Sequence, residues 1–156
     1  MIIRRASEKD TEGIDKLLRQ VLDVHHQGRL DLFKANAKKY TDAQLSEILS
    51  NDQTPIFVAV DEQEKVLGYA FCMFRQNQND NILTDIRSLY IDDLCVDENI
   101  RGQHIGRSLY EFVLSYAKNN GCYNVTLNVW ACNTSAIRFY EKCGLKPQKI
   151  GMEIIL

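Results

Sequence analysis

The stretch from Leu94 to Trp130 constrains the fold of this chain most, because its hydrophobic periodicity changes twice there. An apolar run, LCV, leads into a turn with two glycines, and a long amphipathic segment follows. That segment carries apolar residues at helical spacing: Ile105, Leu109, Phe112, Val113, Tyr116 and Ala117. NVTLNVW then alternates as a strand does. Strand, helix and strand in this order predict a parallel pair joined by a right-handed crossover.

The rest of the chain predicts an antiparallel meander with further helices. Strands are expected in MIIRRA, PIFVAV, VLGYAFCMF and LTDIRSLYIDDLCV, and polar turns separate the last three. The apolar stripe from Ile14 to Leu22 predicts a first helix, and a second is expected over Asp42 to Leu49. NTSAIRFYEKCG predicts a short helix, and KIGMEIIL predicts a final strand. The pattern indicates an α/β (α+β) fold, with a mixed sheet flanked by helices.

Length, charge and cysteine spacing narrow the class of protein. The 156 residues predict one domain over positions 1–156. The balance of 19 basic and 21 acidic residues argues against a nucleic-acid partner. No apolar stretch has membrane-spanning length and no signal peptide is recognisable, so we expect a cytoplasmic protein without a membrane partner. Five cysteines without C-x-x-C spacing predict reduced, structural thiols and no metal site.

The turn before the long helix has the composition of an anion site. A helix N-terminus presents unpaired N–H groups and about half a positive charge. Gly102 and Gly106 allow close backbone approach, and Arg101 and Arg107 add charge. A phosphate or pyrophosphate fits these features, while the alternative is a glycine turn that only starts a helix. The P-loop and dinucleotide-binding glycine motifs are both absent.

The residues around this turn resemble the GNAT N-acetyltransferase superfamily. LCVDENIRGQHIGRSL is similar to its central motif, in which an apolar triplet leads to [RQ]-x-x-G-x-[GA] and a helix. NVWACNTSAIRFYEKCGLKP is similar to the following motif, N-x-x-A-x-x-F-Y-x-x-x-G-[FL]. The resemblance covers Tyr90 to Pro147 and departs from the pattern at His104, where glycine is usual. Because histidine is among the residues less penalised at positive φ, we expect the turn to tolerate it.

The resemblance implies a GNAT acyl-CoA N-acyltransferase fold, with a mostly antiparallel seven-stranded sheet whose strands 4 and 5 splay apart. It implies acetyl-CoA as cosubstrate, with pantetheine in the splay and pyrophosphate on the helix N-terminus. The implied pantetheine-side residues are Leu94, Cys95, Val96, Asn133, Ala136 and, near the sulfur, Tyr140. The implied pyrophosphate-side residues are Arg101, Gly102, Gln103, His104, Ile105, Gly106, Arg107 and Ser108.

Two aspartates precede the apolar triplet and are candidates for handling the amine proton. A lysine-like amine has a pKa of about 10.4, so its deprotonation at pH 7 costs about 4–5 kcal/mol, and a nearby carboxylate can accept that proton. Strand alternation puts Asp92 and Asp93 on opposite faces unless a bulge intervenes. A similar double acid in polyamine acetyltransferases favours Asp92 as base and Asp93 as an acceptor-binding charge. The alternative is that one or both are solvated strand acids.

Other residues complete the expected chemistry. Tyr140 is the candidate acid for the leaving thiolate, although its spacing alone is also that of a core tyrosine. The N–H of Leu94 or Val96 is expected to stabilise the oxyanion. Cys95 lies in an apolar strand, which raises a thiol pKa, so direct transfer is favoured over an acyl-cysteine.

The region after the first helix is a further candidate for the acceptor site. His25 and His26 could line it, since the loop after this helix does so in GNAT proteins, or they could simply favour the helix dipole. Phe33 and Tyr40 could form an apolar wall, although core packing is the default for such residues.

We therefore expect an N-acetyltransferase that moves an acetyl group from acetyl-CoA to a primary amine in a ternary complex. The paired aspartates favour a cationic small molecule or a lysine-like amine as acceptor. The alternatives are a non-catalytic acyl-CoA sensor module and a protein N-terminal or lysine acetyltransferase. Transfer to an alcohol or of a longer acyl group also stays open. The apolar final strand needs an edge to pair with, which predicts a homodimer.

Overall fold

The computed structural model describes residues 1–156, and a sheet of five strands in the order β1-β2-β3-β4-β5 forms its centre. The strands are β1 (Ile2–Arg5), β2 (Ile56–Val60), β3 (Val66–Gln76), β4 (Arg87–Val96) and β5 (Asn124–Leu127). The first three pairings are antiparallel, and β4 pairs with β5 in parallel. The expected mixed, mostly antiparallel sheet is therefore confirmed.

Four α-helices surround the sheet, and each was expected from the apolar pattern. They are α1 (Thr11–Gly28), α2 (Asp42–Ser50), α3 (Ile105–Asn119) and α4 (Thr134–Lys142), with 3-10 turns at Glu8–Asp10 and Glu98–Ile100. Thr41 and Gln44 form a reciprocal capping box that starts α2. Gly121 adopts a φ of 70° just beyond α3, a left-handed conformation that ends the helix. No helix is both long enough and apolar enough to cross a lipid bilayer.

The strands separate two apolar cores, one on each face of the sheet. Alternate residues of β2 point to opposite faces, so Val58 packs with α1 and α2 while Phe57 and Ala59 pack with α3. In β3, Tyr69 and Phe71 likewise lie on the face that carries α1. We call this the α1 face. It carries the two aspartates described below.

Two expectations about the strands are wrong. The sheet has five strands rather than seven, and KIGMEIIL does not form a strand. No backbone hydrogen bond joins residues 146–156 to the sheet, and the side chains of Ile150, Met152, Ile154, Ile155 and Leu156 are exposed. An apolar segment supplies the side chains of a strand but becomes one only where a neighbouring strand supplies hydrogen bonds. This segment has no such neighbour within the chain.

The expected splay between strands 4 and 5 is confirmed. Pairing of β4 with β5 begins at Ser88 with Asn124 and ends at Ile91 with Leu127. The antiparallel pairing of β4 with β3 continues as far as Val96. The segment Asp92–Val96 therefore has a strand on one side only, and its other side opens into a gap.

Candidate active site

A β-bulge in β4 places both aspartates on the same face. Phe71 pairs with Asp93, and the next residue of β3, Cys72, pairs with Ile91. Asp92 is thus the extra residue of the bulge. Its carboxylate bonds side chains on the α1 face, and so does that of Asp93. The simple alternation that would separate the two carboxylates does not apply.

Asp92 is already engaged by two groups from the segment between α1 and α2. The ammonium of Lys39 lies 2.8 Å from its Oδ2, and the hydroxyl of Tyr40 donates to the same oxygen at 2.5 Å. The Tyr40 ring stacks on Phe71 with a centroid distance of 5.4 Å, which fixes the position of this segment. Burial and the charge of Asp92 raise the pKa of Tyr40, so its hydroxyl stays protonated and able to donate.

Asp93 has a different environment one residue later. It accepts a hydrogen bond from Tyr69 at 2.8 Å, and no cation contacts it directly. Loss of hydration raises its pKa to about 6, against the opposing charge of Lys39. A carboxylate with a pKa close to the operating pH is well matched to proton transfer. The two neighbouring acids therefore differ in what they can do.

Tyr140 has the properties of a proton donor. It is half-buried on α4, and its hydroxyl makes no hydrogen bond within the protein. Burial raises its pKa above the usual value, and the charge of Asp93 adds to the effect. The hydroxyl is consequently protonated at neutral pH and available to a ligand.

The start of α4 holds two other expected coenzyme residues. Asn133 is the N-cap residue, and its Oδ1 accepts from the N–H of Ala136 at 3.2 Å and from the hydroxyl of Ser135 at 3.1 Å. The Nδ2 of Asn133 has no acceptor in the protein and remains available to a ligand. Ala136 is half-buried, and since its N–H serves the cap, only its methyl group can contact a ligand.

The turn before α3 presents a row of free backbone donors. The N–H groups from Arg101 to Arg107 find no acceptor in the protein, and the first N–H bonded in α3 is that of Ser108, to the carbonyl of His104. Gly102 and His104 adopt φ values of 85° and 60°. Successive N–H groups in such a turn form a concave anion site. A row of unbonded N–H groups of this kind is suited to binding the pyrophosphate of a coenzyme.

Side chains around the turn contribute unequally. Arg101, Gln103 and His104 are exposed, and Arg101 has no acidic partner. Arg107 is paired with Glu111 at 2.9 Å. The side chain of Ile105 is buried in the core, so this residue can offer only its N–H. Ser108 has used its N–H in the helix, and its hydroxyl is free.

Gly106 brings the turn close to the splay. A Cβ at this position would lie 3.4 Å from Val96 and 3.5 Å from Phe139. The absence of a side chain thus lets the start of α3 lie against the end of β4 and against α4. The anion site and the splay are continuous for this reason.

Beyond Ile91, some backbone N–H and C=O groups of β4 point into the gap between β4 and β5. The N–H of Asp97 bonds the carbonyl of Leu67 on β3. Because these groups alternate along an antiparallel strand, those of Leu94 and Val96 point away from β3. An extended ligand arm in the splay can bond them as a strand would.

The Cys95 side chain does not reach the splay. It is buried on the α1 face, with its sulfur 3.8 Å from the carbonyl of Leu17. Burial raises its pKa to about 12, with a contribution from Asp93. The thiol is accordingly inert as a nucleophile.

An aromatic row borders the site beyond Lys39 and was only partly anticipated. Phe33 lies 5.2 Å from His25 and 5.2 Å from Trp130 by ring centroids. Burial lowers the pKa of His25, and the charge of Lys39 lowers it further. The sequence pattern indicated His25 and Phe33 as candidates for the acceptor site, but it did not indicate Trp130, Lys39 or Tyr69. Trp130 carried a signal, since it breaks the apolar alternation of NVTLNVW at the end of a strand.

His26 has a structural contact instead. Its Nδ1 lies 2.7 Å from the backbone carbonyl oxygen of Phe33, and the imidazole forms no hydrogen bond with a side chain. The contact ties the segment after α1 back to the helix. No three His, Cys, Asp or Glu side chains converge in a way that could hold a metal ion.

The sequence and the fold were compared with those of known proteins. The model of the GNAT family of acetyltransferases matches residues 19–145. The chain belongs to the GNAT acetyltransferase family. GNAT acetyltransferases use acetyl-CoA, and acetyl-CoA is the cosubstrate of this one.

Relatives extend the likeness over nearly all of this GNAT enzyme. The peptidyl-lysine N-acetyltransferase YjaB of Salmonella typhimurium is 30% identical over 146 residues, which cover 92% of this chain and 82% of that protein. The solved structure of a tetramutant of the BH1408 protein from Bacillus halodurans has a TM-score of 0.95 at 33% identity, and covers 100% of both chains.

Two more distant proteins share part of the chain or the fold alone. A glucosamine 6-phosphate N-acetyltransferase of Arabidopsis thaliana is 38% identical over 63 residues, 40% of each chain. The aminoglycoside N-acetyltransferase AAC(6')-Iy in complex with CoA has a TM-score of 0.72 at 17% identity, over 99% of this chain and 98% of that one. These named activities differ in acceptor and agree in the acetyl transfer.

Proposed function

We propose that this enzyme transfers the acetyl group of acetyl-CoA directly to a primary amine in a ternary complex, with Asp93 as proton acceptor and Tyr140 as proton donor. The observation that carries the proposal is the bulge, which sets a carboxyl group of raised pKa beside the open side of β4. The unbonded hydroxyl of Tyr140 lies near enough for Asp93 to act on its pKa. The thioester, when bound, supplies an electrophilic acetyl carbon and a thiolate leaving group.

The residues expected from sequence divide the binding work between backbone and side chains. In this proposal the N–H groups of residues 101–107 hold the pyrophosphate, and the hydroxyl of Ser108 supports it. The backbone of Leu94 and Val96 bonds the extended arm, while the Cys95 between them directs its backbone groups to β3. The Nδ2 of Asn133 and the methyl group of Ala136 contact the arm from α4.

Proton transfers then follow from the two titrating groups. Asp93 is largely ionised at pH 7 because its pKa is about 6, and it takes the proton of the acceptor ammonium. The N–H of Leu94 or Val96 is positioned to bond the acetyl oxygen as negative charge develops there. Tyr140 donates its proton to the sulfur. Cys95 takes no part, because its thiol is buried away from the splay.

This assignment exchanges the roles that the sequence favoured for the two aspartates. Asp92 was the candidate base, but Lys39 and Tyr40 both bond its Oδ2. A carboxylate oxygen that already accepts hydrogen bonds from an ammonium and a hydroxyl is suited to holding a cation. We infer that Asp92 binds cationic groups and that Asp93 performs the proton transfer.

A lysine-like or other cationic amine is the acceptor class that these charges support best. The ion pair of Asp92 with the Lys39 ammonium supports this class, and YjaB is named a peptidyl-lysine N-acetyltransferase. The aromatic row of His25, Phe33 and Trp130 offers a wall for the carbon chain of such an acceptor. A non-catalytic acyl-CoA sensor would need neither the raised pKa of Asp93 nor the free hydroxyl of Tyr140.

An acceptor panel tests the proposal by measuring free CoA. Polyamines, lysine, lysine-containing peptides and amino sugars are compared with wild type, Asp93→Asn and Tyr140→Phe. We expect turnover with at least one amine, and a decrease in kcat of about 10²-fold or more for each variant with acetyl-CoA binding retained. Tyr123→Phe is the matched control, because Tyr123 is 75% exposed at the far end of β5. Coenzyme binding without turnover on any amine would support the sensor instead.

We further propose that the whole chain, residues 1–156, forms one GNAT domain that assembles as a homodimer. Ile150, Met152, Ile154 and Leu156 alternate along the exposed C-terminal segment, and a second copy would bury them. Light scattering at high micromolar concentration tests this, and a monomer there would contradict it. The cytoplasmic location stays a prediction from the sequence.

A further inference from the structure

Lys39 occupies the position expected of an acceptor amine. Its Nζ lies 2.8 Å from the Asp92 carboxylate and 3.5 Å from the Asp92 backbone oxygen. Asp92 is the bulge residue at which β4 loses β5 as a neighbour. The charge of Lys39 acts on Asp93 and on His25. The enzyme thus places one of its own ammonium groups among the residues proposed to act on an amine.

The neighbouring residues explain why this lysine, and not the one before it, enters the site. Tyr40 is anchored on Phe71 and Asp92, which fixes the backbone of its neighbour Lys39 beside Asp92. Lys38 points the other way, to Asp15 at 2.7 Å and to Asp42. The two adjacent lysines therefore have different surroundings: Asp15 and Asp42 hold Lys38 and raise its pKa, while Lys39 pairs with Asp92.

We propose that Lys39 is a self-acetylation site of this enzyme, modified within the same chain from bound acetyl-CoA. The inference rests on the proposed function. The Lys39 nitrogen forms a bond to the acetyl carbon while the carbon–sulfur bond breaks. The Lys39 ammonium first gives one proton to Asp93, which makes the nitrogen nucleophilic. After the bond forms, the nitrogen gives its second proton to the Tyr140 oxygen, which has passed its own proton to the thiolate. The products are one amide and one CoA thiol, and no oxidant or reductant is needed.

The modification changes what the site can bind. An acetylated Lys39 carries no charge, so its ion pair with Asp92 is lost. Asp92 is then free to bind the ammonium of an external acceptor. An unmodified Lys39 competes with that acceptor for the same carboxylate. We expect acetylation to lower the acceptor KM with little change in coenzyme affinity.

Peptide mass mapping tests the site directly. The full chain is incubated with acetyl-CoA and no acceptor, then digested, and acetylation at Lys38 and at Lys39 is compared. We expect Lys39 to be modified at least tenfold faster than Lys38, a difference of about 1.4 kcal/mol in activation free energy. The rate should not depend on protein concentration, as transfer within one chain requires. Tyr140→Phe should slow it, and Lys38→Arg should leave it unchanged.

A second measurement needs no coenzyme and tests the placement of Lys39. The His25 pKa is measured by NMR titration in wild type, Lys39→Gln and Lys38→Gln. Because the Lys39 charge lowers the pKa of His25, Lys39→Gln should raise it and Lys38→Gln should not. If the His25 pKa is unchanged in Lys39→Gln, the Lys39 ammonium does not lie near His25, and the proposal is contradicted.

The outcomes separate this inference from the proposed function. Acetylation of external amines with an unmodified Lys39 overturns self-acetylation and leaves the transferase function standing. Equal modification of Lys38 and Lys39, or a Lys39 rate that matches the unfolded chain, indicates only chemical acetylation and also overturns it. Failure with both Lys39 and every external amine contradicts the two proposals together.

Discussion

The two halves of β4 show how one strand can serve structure and chemistry. Arg87–Ile91 has β3 on one side and β5 on the other, and its Leu89 and Ile91 are buried. Asp92–Val96 keeps only β3, and four of its five residues, the two acids among them, are half-buried. The first half gains hydrogen bonds and apolar burial. The second half leaves backbone groups free for a ligand, so the proposed functional site lies where β4 loses β5 as a neighbour.

Among variants that test the contrast between the two halves of β4, Leu89→Ala should have the largest effect, a loss of stability. Leu89 is fully buried between β5 and α3, so the variant should lose about 2–5 kcal/mol of unfolding free energy through lost burial and a cavity. Urea denaturation measures it. Leu94→Ala is the control in the second half, since Leu94 is only half-buried. Equal losses in the two variants would show that both halves are structural.

Asp93→Asn should increase the unfolding free energy above pH 6, whereas Leu89→Ala decreases it. The same variant should strongly reduce activity. Asp93 has a pKa raised from 3.8 to about 6, so the folded state binds more protons than the unfolded state between these values. Stability therefore falls as pH rises through this window. We expect the variant to be more stable than wild type above pH 6, with the difference gone below pH 4, by thermal denaturation at several pH values.

The activity of the same pair tests the proton acceptor. Wild-type kcat/KM should rise with pH through about 6 as Asp93 ionises. The inflection should disappear in Asp93→Asn. If Asp92→Asn removes the inflection instead, the two aspartates have the roles first favoured from sequence.

Asp92→Asn should act mainly on acceptor binding. The carboxylate bonds Lys39 and Tyr40, and asparagine keeps the shape while it loses the charge. We expect the KM of a cationic acceptor to rise by about tenfold, roughly 1.4 kcal/mol, with a smaller change in kcat. Steady-state kinetics with a neutral amine as control acceptor decides whether the charge is responsible.

The smallest effect is expected at the turn, from His104→Gly. His104 has a φ of 60°, a conformation that glycine adopts without strain. The backbone N–H that a phosphate would accept from is unchanged by the substitution. We expect acetyl-CoA affinity to change by less than about tenfold, or about 1.4 kcal/mol, by isothermal calorimetry. A wild type that binds no coenzyme and is rescued by glycine would show that histidine disables the turn.

Most helices and strands were predictable because their signals are local. The apolar stripe of α3 and the glycine after it define that helix within one stretch of chain. The order of the two motifs around it indicated the family, and with it the coenzyme and the splay. The count of strands was not predictable, because the apolar C-terminal segment reads as a strand whether or not it has a neighbour.

What the sequence determined by itself is therefore the four helices, the five strands of the sheet and the family, but not the fate of the C-terminal segment. Only the tertiary structure decided which way the acids point. One extra residue at Asp92 changes the register with β3 and turns both carboxylates to the α1 face. It also brought Lys39 to Asp92, 53 positions away in sequence. Register and distant contacts depend on the packing of the whole sheet, and no local pattern of residues encodes them.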